Sequence, residues 1–491
     1  MLKVRGIWPF LCCLAFGTLA MYAIGSLRKP GITILILLAP AALLAFPSAL
    51  RQAASGVRTL LRSWTWWQGL WLLLFMSMFV LRQRTDTEIR ESPLDAAALY
   101  RVVLVGITAA VLAIRLAVKR PAWLGSLFRG LVGALTCYCA VSAFSALWSV
   151  YPAWTLYKSL EYLVDVALIA TVLATLNSVQ DYAHFLSLTW VLIGLLLVSV
   201  GLGAFLWPQE AWQSDVGLLG VQLYGVVPAI HPNSVGEFGA IVAIVAFSRL
   251  ILPADGKSGR AWYGLIWAFG LAALILSQTR SAIAGFLLGT ILVLAFSKGK
   301  GLATFVLSGA AGLLFLGGLG SLLWRFLLRG QNLEIFESLS GRVKWWELAW
   351  SQFLKSPWVG LGAYTARFGV LAKVGEADTA SIHNTYLEVI FGVGVVGLIP
   401  VLVALVGTWW LLIRALRSSL LKPPERGMAV EALGVLAVVS VRSLFTSNLI
   451  WHPSLQFLVL LGYAEFLRRR LKQAREPAYR PTPEPREKGQ Q

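Results

Sequence analysis

Charge is the first scarcity. Of 491 residues only 13% are Asp, Glu, Lys or Arg, against 58% hydrophobic, and mean hydropathy is +0.73. No water-soluble fold could bury so much apolar surface, so the soluble classes are excluded. Cysteine is scarce too: Cys12, Cys13, Cys137 and Cys139 all sit in apolar runs, with no CxxC or Cys/His spacing. That excludes a disulfide framework and a zinc site. The four histidines form no metal-ligand spacing with carboxylates, so metal-free chemistry and no cofactor are expected. Acidic residues number 23 against 42 basic, a formal net charge of +19. The excess lies mostly in loops between apolar runs, the mark of membrane topology and anionic lipid rather than of a duplex-binding face; nucleic acid is not an expected partner. No internal repeat is visible, which argues against an inverted-repeat transporter.

Apolar runs of membrane-spanning length, about 17 to 25 residues, fall near 7–25, 31–50, 65–81, 100–118, 128–147, 157–176, 183–206, 234–252, 261–277, 281–297, 302–323, 385–412, 429–447 and 453–468. The expected fold is all-α: a polytopic transmembrane helix bundle of about 12–14 spans, with one large outer-face loop containing amphipathic helices. The first run has no convincing cleavage site and reads as a retained helix. The organisation expected is N-terminal helices over 1–147, a transmembrane core over 148–323, a large loop over 324–384, C-terminal helices over 385–470 and a disordered basic tail over 471–491. Runs 261–277 and 281–297 are separated only by Ser277-Gln278-Thr279-Arg280 and read as a tight helical hairpin. Basic loops alternate so that both termini fall in the cytoplasm. The large loop, Arg280 and His231 then share the opposite face.

His383 opens the run Ser381–Leu398, SIHNTYLEVIFGVGVVGL, where a titratable ring meets an apolar helix dotted with Gly392, Gly394 and Gly397. An imidazole there suits a general base or an orienting group for a hydroxyl. The plainer alternative is a solvated histidine before an Asn384 N-cap. Tyr386 follows in the same run. Arg280, in SQTRSAIAGF, is either a snorkelling cation or a planar fork for a pyrophosphate. Arg342 falls in the first turn of an amphipathic helix expected to rest on the membrane surface, with Ser340 as N-cap. The helix dipole disfavours a cation there unless an anion is bound. Trp345 and Trp346 could stack on sugar rings. Lys158, Glu161 and Asp165 share one helical face by their spacing and are expected to pair inside the bundle. His231-Pro232-Asn233 starts a span, with Asn233 as the expected cap. His184 and His452 read as interfacial. Glu237 and Glu388 could polarise a histidine or bind an acceptor, and no spacing rule selects them.

Four pieces together resemble the O-antigen ligase and O-antigen polymerase family: LWSVYPAWTLYKSLEYL, HPNSVGEFGAI, SQTRS, and SGRVKWWELAW…GLGAY with SIHNTYLEV. The resemblance spans roughly Trp148 to Leu412. It implies a bacterial inner-membrane glycosyltransferase whose donor is a glycan on undecaprenyl pyrophosphate and whose acceptor is a lipid A-core sugar or another lipid-linked unit. Membrane lipids are its further partners, and its active site faces the periplasm. By position, Arg280 and Arg342 match the family's pyrophosphate-associated arginines and His383 its essential histidine. Lys158 is a weaker match, grouped with His231, Asn233, Asn384, Tyr386, Trp345 and Trp346 as substrate-binding candidates. Transfer to a protein hydroxyl, or a transporter or flippase, are the remaining alternatives.

The loop charges give a direct test of orientation. Cysteines at Glu334 and Asp378 should react with a membrane-impermeant thiol reagent in intact spheroplasts, and cysteines at Lys257 and Lys300 should not. The reverse pattern would invert the bundle.

Overall fold

A computed structural model of the chain describes residues 65–80, 88, 91, 95–119, 123–214, 216, 219–252, 260–297, 341–375 and 381–473. The expected spans near 7–25, 31–50 and 302–323, residues 324–340 of the large loop and the tail from 474 lie outside the described residues. In chain order the elements are α1 (Trp66–Met76, continued as a 3₁₀ turn), α2 (Ala96–Lys119), α3 (Trp123–Leu127), α4 (Gly130–Phe144), α5 (Pro152–Thr175), α6 (Val179–Leu206) and α7 (Pro208–Ala211). A two-stranded antiparallel hairpin follows, β1 (Trp212–Ser214) with β2 (Val221–Leu223), Trp212 opposite Leu223. Then come α8 (Pro232–Ile251), α9 (Arg260–Leu276), α10 (Arg280–Phe296), α11 (Arg342–Phe353), α12 (Ala366–Gly369), α13 (Thr385–Arg417), α14 (Pro423–Ser443) and α15 (Leu455–Gln473).

Every expected span within the described residues is a helix. Among the described residues five helices are long and apolar enough to cross a membrane, within α2, α4, α6, α8 and α13. The protein is a polytopic helical membrane protein. The helices α5, α14 and α15 are of similar length but carry charges, of which Lys158, Glu161, Asp165, Glu431, Arg442 and Glu465 turn inward. The helices α8, α14 and α15 form the centre: Val235–Ala246, Ala429–Val439 and Leu455–Leu467 are buried on every face. A helix that is apolar all round is a buried helix.

The expected hairpin of α9 and α10 is a tight turn whose two helices part company. The helix α9 packs along α8, and α10 packs along α14. Glycine decides this. A Cβ at Gly239 would lie 2.8 Å from the Gly270 carbonyl oxygen, and one at Gly285 would lie 2.9 Å from the Cα of Val438. Small residues let these backbones meet, and close packing is what associates helices in lipid.

The glycine run of α13 accommodates a break in the helix. Gly394 sits inside α13 at φ 62, ψ −162, a conformation that only glycine adopts without strain. The break frees backbone groups, and residues 357–362 satisfy them. Leu361 N donates to Phe391 O (2.9 Å), Gly362 N to Gly392 O (2.8 Å), Val395 N to Pro357 O (2.9 Å) and Val396 N to Trp358 O (3.2 Å). Interrupted helix is tolerated in a membrane when protein replaces the lost bonds in this way.

The helix α11 does not lie across the bundle end. Near its start Trp346 Nε1 donates to Ile382 O (2.9 Å), and just past its end Pro357 and Trp358 bond Val395 and Val396. Those anchor points stand about 15–20 Å apart along α13, and eleven residues of near-helical chain span about 16 Å. The helix therefore runs down beside α13, with Ala349, Ile382 and Phe391 in one small buried cluster.

Gly394→Ala should lower stability by about 2 kcal/mol or more, from backbone strain and collision of the new methyl with the Trp358 carbonyl. Thermal unfolding in detergent measures this; an unchanged midpoint would show that the break is not locked.

Candidate functional site

Several chain segments meet at one end of the bundle: the α4–α5 turn, the β hairpin with the start of α8, the α9–α10 turn, residues 341–375 and 381–383, and the α14–α15 loop. His383 stands in their midst, in the turn before α13, at φ 54. A positive φ is uncommon for a side-chain-bearing residue, and its neighbours hold the turn in place. Ser381 Oγ accepts from His383 N (3.2 Å), and Glu388 Oε2 accepts from Ile382 N (3.3 Å). Asn384 caps α13 as expected, its Oδ1 accepting from Tyr386 N and Leu387 N (3.0 Å each), while its Nδ2 donates to Leu444 O (3.1 Å). The Tyr386 hydroxyl bonds Ser443 Oγ (2.9 Å), and Thr385 Oγ1 donates to Thr446 O (2.7 Å). The amide of Asn384 and the hydroxyl of Tyr386 are thus engaged in shaping the turn.

Cations crowd the imidazole. Burial, then Arg342, His231 and Arg442 in that order, push its pKa from the ordinary 6.5 down to about 3. His383 is therefore held neutral. The Trp345 ring lies beside it, centroids 6.1 Å apart.

Arg342 is the first residue of α11. The preceding cap position is Gly341, at φ 84, not Ser340 as expected. A left-handed residue at that point is easiest for glycine, and it sets the arginine at the mouth of the helix. Likewise the cap of α8 is His231, not Asn233. Its Nδ1 accepts from Asn233 N at 3.2 Å, with Pro232 as the first helical residue. With Nδ1 accepting, the neutral ring carries its proton on Nε2. His231 is exposed, its ring beside Tyr224 at 5.7 Å.

Arg280 begins α10 in the turn after Thr279. That turn is fixed by Gln222 Nε2 to Ser277 O (2.7 Å), Gln278 Nε2 to Val221 O (2.7 Å) and Thr279 Oγ1 to Pro232 O (3.0 Å). Next to it, Ser281 Oγ accepts from Arg442 Nη1 at 2.6 Å. Arg442 was not anticipated. It is buried at the end of α14, its Nε 3.2 Å from Glu237 Oε2 on α8. Glu237 Oε1 also accepts from Asn448 Nδ2 and Gln456 Nε2, both 3.0 Å. The signal in the sequence was an arginine in an otherwise apolar run, LAVVSVRSLF, which by itself marks a paired or functional residue.

Lys158 lies in a second cluster. Its Nζ donates to Glu161 Oε2 at 2.6 Å, with the rings of Trp154, Tyr157 and Trp451 5.2–5.5 Å away, and Arg101 Nε reaches Glu161 Oε1 at 2.9 Å. Asp165 pairs elsewhere than expected, with His452 Nδ1 at 2.8 Å, and His452 Nε2 meets Ser77 Oγ at 2.8 Å. His452 is buried, not interfacial. Among the described residues no group of three His, Cys, Asp or Glu side chains is arranged to hold a metal ion.

With this geometry in place, one comparison is decisive. Residues 265–402 match the family model described as O-antigen ligase. That segment is similar to O-antigen ligases. No curated protein matches the chain. The matched segment includes Arg280, Arg342, Trp345 and His383, while His231, Glu237, Arg442 and Lys158 lie outside it.

The ion pair gives a thermodynamic test. Arg442→Met alone should destabilise by about 3–5 kcal/mol, because Glu237 is left charged and buried, and Arg442→Met with Glu237→Gln should recover most of that loss. Unfolding in detergent of the two single variants and the double variant measures the coupling; additive losses would mean the two residues act separately.

Proposed function

We propose that the protein transfers a glycan from undecaprenyl pyrophosphate to an acceptor hydroxyl at the periplasmic face of the inner membrane, in the manner of an O-antigen ligase, with a lipid A-core sugar as acceptor. The supporting observation is that the segment similar to O-antigen ligases contributes Arg280, Arg342 and His383 to one end of the bundle, where cations surround a neutral imidazole. Polymerase activity, joining lipid-linked repeat units, is the second reading, since it differs only in the acceptor. Deleting the gene separates them: lipid-linked full-length polymer accumulates if a ligase is lost, single repeat units if a polymerase is lost.

The chemistry follows from charge. Arg280 and Arg342 neutralise the pyrophosphate, which makes it a competent leaving group without a metal ion. The acceptor oxygen attacks the anomeric carbon, the bond from that carbon to the pyrophosphate oxygen breaks, and the acceptor proton passes to His383. In-line attack inverts the anomeric centre. His231 donates from Nε2 to a substrate oxygen, and Trp345 supplies a flat face for a sugar ring. A bound pyrophosphate opposes the cations that depress His383, so binding the donor strengthens the base.

Arg280→Ala and Arg342→Ala should each abolish transfer at normal protein level, with Lys restoring it only in part, because an ammonium cannot reproduce a bidentate fork. Near-normal transfer by either Ala variant would remove that arginine from the site, and loss of wild-type activity in chelator would argue for a metal. For His383 the free enzyme stays neutral, so kcat/KM should show no limb from this group between about pH 5.5 and 8.5, around the reference value. In the donor complex the pKa is raised toward that value, so kcat should rise with pH through the acidic part of the range. His383→Gln should be nearly inactive. A kcat that falls with rising pH would assign His383 to charge stabilisation in its protonated form.

A further inference from the structure

The segment joining α11 to α12 reverses direction against α13. Going down, Pro357 and Trp358 reach the level of Val395 and Val396; coming back, Leu361 and Gly362 pair with Phe391 and Gly392. Its tip is Trp358-Val359. The depth of that tip follows from α13, which runs 33 residues to Arg417. A hydrocarbon core of about 30 Å takes about 20 residues of helix. Counted back from Trp410 or from Arg414, the polar-flanked far end, the near edge of the hydrocarbon falls between Ile390 and Gly394. Both counts put Pro357 and Trp358 at that edge or inside it.

The surface chemistry agrees. Trp358 is 68% exposed and Val359 44%, and Leu354, at the end of α11, is 60% exposed. They adjoin the exposed apolar stripe of α13 made by Val396 and Ile399, at 43% and 55%. The one charge in the segment, Lys355, turns back up the helix, its Nζ 3.3 Å from Gln352 Oε1, as a lysine does when its head seeks water. The carbonyls of Pro357 and Trp358 and the amides of Leu361 and Gly362 are all taken by α13, and Gly360 N donates to Ser356 O at 2.9 Å. Those bonds lower the penalty that otherwise keeps irregular backbone out of lipid.

We infer that residues 354–362 are a re-entrant segment that dips into the same leaflet as the site, with Leu354, Trp358 and Val359 in contact with lipid acyl chains. The inference rests on the fold, not on the reaction. Its consequence is mechanical: α11 links the lipid-inserted tip to Arg342, so the bilayer edge and the site are in fixed register. Tryptophan at the tip is the residue suited to that boundary.

Spin labelling tests it without any activity assay. In full-length protein with Cys12, Cys13, Cys137 and Cys139 replaced by Ser, nitroxides go onto Trp358→Cys, Val359→Cys and, as the exposed polar reference on α11, Glu347→Cys. In phosphatidylethanolamine–phosphatidylglycerol vesicles, oxygen collisions relative to those of NiEDDA should be several-fold higher at 358 and 359 than at 347. Equal ratios at the three positions would place the tip in water and overturn the inference. Shielding of 358 and 359 from both reagents would place it against protein and overturn it equally. A photoreactive benzophenone amino acid at 358, aromatic for aromatic, gives an independent reading: phospholipid adducts are expected, and protein–protein adducts alone would refute lipid contact.

Discussion

The pairing of Arg442 with Glu237 is the interaction on which the site end of the bundle depends. A guanidinium and a carboxylate taken out of water cost several kcal/mol each unless their remaining hydrogen-bonding positions are filled. Ser281, Asn448 and Gln456 fill them, and each comes from a different part of the chain: α10, the α14–α15 loop and α15. Satisfying one buried pair thus fixes the relative positions of four helices and a loop. Arg280, adjacent to Ser281, inherits its place from that network.

The same end shows how position rather than identity determines chemistry. His383 is an ordinary imidazole made neutral by its surroundings: burial first, then Arg342 from α11, His231 from α8 and Arg442 from α14 disfavour a second proton. An anion beside Arg342 and Arg442 would offset the electrostatic part of that effect and leave the burial, with no conformational change.

Much of this was legible in the sequence, and the limits are physical. Span positions follow from apolar length, which is a one-dimensional property, and the SIHNTYLEV and SQTRS runs pointed to His383 and Arg280 directly. Pairing is a three-dimensional property. Nothing local says that α9 leaves α10 for α8, because the decisive glycines, Gly239 and Gly270, are separated in sequence and act through contact. Asn233 and Ser340 have cap-forming chemistry, but His231 and Gly341 hold those places, since Pro232 favours the first helical turn and Gly341 accepts a left-handed φ. His452 looked interfacial because it follows an apolar run and a tryptophan. Its burial depends on Asp165 and Ser77, which lie hundreds of residues away.

The α14–α15 loop, Leu444 to Ser454, has a further meaning. Its carbonyls at Leu444, Thr446, Leu449 and Ile450 receive donors from Asn384, Thr385, Tyr162 and Tyr364, which come from three separate stretches of the chain. Connections between helices usually absorb insertions and substitutions at little cost. This one is threaded through the interior and read by its backbone. Its length is constrained as tightly as the side chains of Asn448, Trp451 and His452, because an added residue would shift carbonyls past their donors. Change is therefore channelled away from this loop, onto surfaces such as the β hairpin, where Gln213 and Tyr224 bond each other in the open.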